Sequence, residues 1–128
     1  MSRVPTRWLS LFHDQLQTAE QRAQLAQQQL EEDDGTRALQ QAYPAVISAA
    51  TVRVWIAAPP WLHPLDAEGL QRQVRDKLPS LFAALVEMDV QQALTSPWQA
   101  SDAAPYVSEA VEYVTHTRER YEQWLKEE

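Results

Sequence analysis

The chain has 128 residues, 45% of them hydrophobic, with five tryptophans and four tyrosines, which is apolar material for one core and too little for two. Eleven basic residues against eighteen acidic ones leave a formal net charge of −7. That balance repels phosphate backbones and argues against broad nucleic-acid binding, while leaving room for a small basic patch. The absence of cysteine excludes disulfides, thiolate metal sites and cysteine nucleophiles.

In chain order, Met1 to Pro5 carries one arginine and no apolar run, unlike a secretory leader, so a cytoplasmic location is expected. From Leu9 the apolar residues Leu9, Phe12, Leu16, Ala19, Ala23, Ala26 and Leu30 fall alternately three and four apart, the seam of a first helix. Glutamines and charges lie between those positions and give it a solvated face. Asp33, Asp34 and Gly35 read as the end of that helix, with Thr36 capping the next. The second helix carries Leu39, Tyr43, Val46 or Ile47, Ala50, Val54 and Ala57 at helical spacing, and Pro44 is expected to kink it or mark its start.

The apolar stretch from Ala42 to Leu62 contains Arg53 and three prolines, so it reads as a core helix and a loop, with no membrane span. Pro59, Pro60 and Pro64 make residues 58–65 a stiff connection that pins Trp61 and Leu62 inward or onto a partner. A third helix follows, capped by Asp66 and seamed by Leu70, Val74, Leu78, Leu81, Leu85 and Met88, with Pro79 as a break. Leu16 and Leu81 are expected in the core. Thr95 to Pro105 reads as a second loop, carrying Trp98 and ending in a cap at Ser101 or Asp102.

The last helix sets Val107, Ala110 or Val111, Val114, Tyr121 and Leu125 on one face, with Tyr106, Tyr113, Thr117 and Trp124 beside it. An apolar face wider than one seam implies a second neighbour. An interface through Tyr113, Tyr121 and Trp124, joined by Trp61 and Trp98, is therefore expected, either in a homodimer or with a partner protein. The expected fold is all-α: an antiparallel up-down four-helix bundle with Pro-rich loops and Pro kinks. It forms one domain over residues 1–128, with its core at about 7–125.

Little in the sequence carries chemistry. His13, His63 and His116 have no metal-ligand spacing, and Gly35 and Gly69 belong to no phosphate loop, so neither metal nor cofactor is expected. No nucleophile motif is present. Arg53, between Val52 and Val54, is the unusual residue: it snorkels to the rim, pairs with an acid on a neighbouring helix, or binds an anion.

The segment Ala42-Tyr43-Pro44-Ala45-Val46-Ile47-Ser48-Ala49-Ala50 and the final stretch from Ala104 to Tyr113, closing on Trp124-Leu125, resemble the second and last helices of the HEPN family. These are helical domains of higher eukaryotes and prokaryotes, named for nucleotide binding. The likeness covers roughly residues 7–125 and is one of pattern. It implies a helical bundle that dimerises or partners another protein, as some members do with small nucleotidyltransferases. Many members are ribonucleases or toxin components with an Arg followed, after four to six residues, by a His. Arg7 and His13 are the only such pair here, on the first helix rather than a later one, and define the catalytic alternative. The leading expectation is a non-catalytic protein-interaction module.

Overall fold

The computed structural model describes residues 4–128. Its regular elements are α1 (Thr6–Glu31), α2 (Gly35–Ala57), α3 (Ala67–Asp76), α4 (Ser80–Glu87), α5 (Val90–Thr95) and α6 (Ala100–Glu127). Among the described residues there is no strand.

The α1 seam is the one its spacing dictates. Phe12, Leu16, Ala19, Ala23 and Ala26 are buried, and Leu9 and Leu30 at its two ends are half-buried. The turn that follows differs from its sequence reading. Asp33, with φ 61°, takes the left-handed conformation, and the Asp34 N–H closes the turn on the Gln29 carbonyl at 2.9 Å. Asp34 caps α2 by accepting the Arg37 N–H at 3.0 Å, so Gly35 begins the second helix instead of ending the first. Thr36 is free for another task. Its hydroxyl accepts the Trp98 N–H at 2.9 Å and reaches the Ser96 carbonyl at 3.3 Å, tying the start of α6 to the start of α2.

α2 is the central rod. Its buried residues run round most of its circumference, because α1 and α6 pack along it and α3 and α5 cover part of what remains. That burial on several sides carries the helix unbroken through Pro44, although an interior proline costs about 3 kcal/mol. Arg53 near the end of α2 bonds to Thr117 in the second half of α6, and the two helices also meet at their starts, so they run in the same direction. α1 runs against both, with Glu20 bonded to Arg118 and Phe12 packed on Trp124.

The chain must therefore return along α2 between residues 57 and 100, and it does so in three short helices. Asp66 caps α3 by accepting the Gly69 N–H at 2.7 Å. Pro79 stops that helix and α4 restarts it. The restart resets the helical phase, so Phe82 and Leu85 face the core while Leu81 is only half-buried and Met88 is 65% exposed. The seam expected through Leu81 and Met88 is corrected accordingly. Asp89 caps α5, an element absent from the sequence reading, and Gln40 Nε2 donates to the Leu94 carbonyl at 2.8 Å to hold it beside the start of α2. α6 begins at Ala100, ahead of Pro105, so the expected loop of 95–105 shrinks to a few residues. Ser101 and Asp102 lie in its first turn, where an acid suits the positive helix end, and Gln99 stands at the cap.

This placement gives a direct contrast. Leu16 is fully buried and Leu81 is not, so Leu16→Ala should cost about 3 kcal/mol and Leu81→Ala less than half of that. Urea titration of the two variants measures both, and equal shifts in midpoint would contradict the phase reset at Pro79.

Candidate functional site

The end of the bundle where α1 begins and α2 and α6 finish is built from aromatic rings. Trp8 and Phe12 lie one turn apart on α1, Trp55 comes from the last turns of α2, Trp61 from the loop after it, and Tyr121 and Trp124 from α6. Phe12 is the hub. Its centroid is 5.1 Å from Tyr121 in a stacked pair, and 5.3 Å from both Trp55 and Trp124. Trp61 closes the cluster, 5.9 Å from Trp8 and 6.4 Å from Trp124. The Pro59 carbonyl accepts N–H bonds from both Leu62 and His63, which curls this loop and leaves Leu62 65% exposed beside Trp61.

Phe12 and Tyr121 are buried, whereas Trp8, Trp55, Trp61 and Trp124 each keep part of a ring in contact with solvent. The Tyr121 hydroxyl is buried without a hydrogen-bond partner. Burial raises its pKa, against the opposing pull of Arg118.

Of the five expected interface residues, the fold gathers three at this end: Tyr121, Trp124 and Trp61. Tyr121 and Tyr113 are corrected as surface rings. α6 packs on both α1 and α2, and most of its broad apolar face is covered inside the chain, with Trp124 and Leu125 at its end only half-buried. Trp98 sits at the opposite end, where its Nε1–H donates to the Ala93 carbonyl at 2.7 Å and its ring meets Tyr106 edge-on. Trp8 and Trp55 are site residues that the sequence reading left out. The signal for Trp8 was its four-residue spacing from Phe12, which puts both on one face.

Arg7 and His13 are both exposed. Six residues of helix separate them by about 120° around the axis and about 9 Å along it, so the two do not share a face of α1. The Arg7 guanidinium lies 5.9 Å from the Trp8 ring, and His13 meets Tyr121 edge-on at 5.8 Å.

Arg53 is the other distinctive group. Its Nε–H donates to Thr117 Oγ1 at 2.7 Å, and Nη2 donates to the Tyr113 carbonyl at 3.3 Å. The Thr117 hydroxyl in turn donates to that same carbonyl at 2.7 Å. The guanidinium carbon lies 3.9 Å from the Tyr113 ring centre, and the Tyr113 hydroxyl is fixed by donating to the Lys77 carbonyl at 2.7 Å. Burial pushes the Tyr113 phenol up to about 12, against the opposing pull of the Arg53 and Arg120 charges. Arg53 itself is lowered, chiefly by burial, with the Tyr113 phenol opposing the fall and the charge of Arg120 adding to it.

Among the described residues no three His, Asp or Glu side chains gather where a metal could sit. Likewise, no described helix is long and apolar enough to cross a membrane. No family model matches the chain, and neither a curated protein nor a solved structure matches it.

Proposed function

We propose that this chain is a non-catalytic, HEPN-like helical bundle working in the cytoplasm as a protein-interaction module, with its tryptophan end as the contact surface. In this reading α3, α4 and α5 together stand in for one rod of an up-down four-helix bundle. The observation that carries it is the concentration of four part-exposed tryptophans at one end, with the exposed Leu62 beside them. Tryptophan is the residue most enriched at binding hot spots, and rings already fixed by their neighbours lose little freedom on docking. The wide angular separation of Arg7 and His13 on α1 lends nothing to the ribonuclease alternative.

The measurable form of the proposal is self-association through Trp61 and Trp124. Light scattering at micromolar concentration should give the mass of two chains for the native protein and of one chain for Trp124→Ala, with helical content unchanged by circular dichroism. A mass of one chain for both would remove the homodimer.

A further inference from the structure

The Arg53 guanidinium has five N–H donors, and two of them are taken by Thr117 and the Tyr113 carbonyl. Both acceptors are neutral. The remaining three N–H groups, two on Nη1 and one on Nη2, form the end-on fork that matches a carboxylate or phosphate edge. The chain has eighteen carboxylates, and the described ion pairs use Asp34, Glu20 and Glu122, on Arg37 and Arg118. None meets Arg53. The charge that does bear on it is another cation, Arg120, which lies one turn beyond Thr117 on α6.

A half-buried cation normally draws a counter-charge, because desolvation is otherwise uncompensated. Here a strongly acidic protein holds one without a carboxylate partner and adds a second cation near it. The frame that holds it is rigid. Thr117 Oγ1 is oriented by its own bond to the Tyr113 carbonyl, the Tyr113 ring supports the guanidinium plane, and the bond from its hydroxyl to Lys77 ties this frame to the end of α3. Those bonds fix the fork in advance of any ligand, so binding would require little reorganisation.

We propose that the free edge of Arg53, with Arg120 one turn along α6 from the Thr117 that holds it, binds a phosphate dianion, either inorganic phosphate or the terminal monoester of a small metabolite. Two positive charges favour a dianion over a monocarboxylate, and a bidentate fork favours tetrahedral or planar oxyanions over halides.

The test is a titration of the full chain at neutral pH and constant ionic strength, followed by ¹H–¹⁵N NMR at the Arg53 Nε and the Tyr113 and Thr117 amides. Sodium phosphate, phenyl phosphate and sodium acetate are compared. Saturable shifts confined to these signals are expected for phosphate or for both phosphates, with acetate weaker by about tenfold. Saturation with phenyl phosphate alone would assign the monoester. Arg120→Gln, an exposed change that leaves the frame intact, should weaken binding by about fivefold, and Arg53→Gln should abolish it. Absence of saturation, equal affinity for acetate, or binding unaltered in Arg120→Gln would each overturn the proposal. So would retained binding in Arg53→Gln.

Discussion

Gly35→Val is expected to destabilise the protein by about 4 kcal/mol, and Gly35→Ala by about 3 kcal/mol. A Cβ on Gly35 would stand 2.5 Å from the carbonyl oxygens of both Trp98 and Gln99, and 2.6 Å from the Gln99 carbonyl carbon. These are backbone atoms held on both sides. The Trp98 N–H is bonded to Thr36, and the Gln99 carbonyl accepts the Asp102 and Ala103 N–H groups that begin α6. No flexible side chain can swing aside, so either the start of α6 lifts off α2 or the Thr36 bridge breaks. Helix propensity works in the opposite direction, since alanine is better than glycine in a helix by up to about 1 kcal/mol. The sign of the measured change therefore decides between local propensity and the crossing of the two helices. Thermal unfolding of Gly35→Ala should show a fall of about 10 °C, and a rise would contradict the close approach.

The same crossing shows why part of the fold was legible and part was not. The α1 seam could be read because period and burial coincide over seven successive positions from Leu9 to Leu30. The breaks at Pro79 and the cap at Asp66 could be read because they act through local backbone geometry. Gly35 could not, because what forbids a side chain there is a carbonyl more than sixty residues away. The early start of α6 was hidden for a related reason: Ser, Asp and Pro between residues 101 and 105 have loop composition, yet Ser101 and Asp102 are tolerated in a first turn, and packing on α2 carries α6 through Pro105, an interior proline like Pro44.

The candidate site divides along the same line. The breadth of α6's apolar face was visible, but whether a second molecule or this chain's own α1 and α2 would cover it depends on the direction in which α2 and α6 run. That direction is set by the return through three short helices. Arg53 stood out in the sequence as a charge within an apolar run. What makes it informative is the absence of an acid opposite it, and that is a property of the assembled helices.

The aromatic end yields the other large effect. Phe12→Ala should cost about 4 kcal/mol, since the ring is fully buried and is the shared neighbour of Trp55, Trp61, Tyr121 and Trp124. Those four rings come from α2, its following loop and α6, so they cannot collapse into the space without moving separate elements. Tryptophan emission should shift to longer wavelength as water reaches the cavity rim, giving a readout independent of the urea midpoint. Tyr121→Phe should behave in the opposite way. Its hydroxyl is buried and has no partner, so the folded state carries a desolvation cost that the unfolded chain does not. Deleting that oxygen leaves the stacked pair with Phe12 in place and should be neutral or stabilising by up to about 1 kcal/mol. A loss above about 1 kcal/mol in Tyr121→Phe would mean that the hydroxyl is satisfied in solution. A small effect of Phe12→Ala would instead mean that the rings are not packed as a core, and the tryptophans would then lose the rigid support that suits them to an interface.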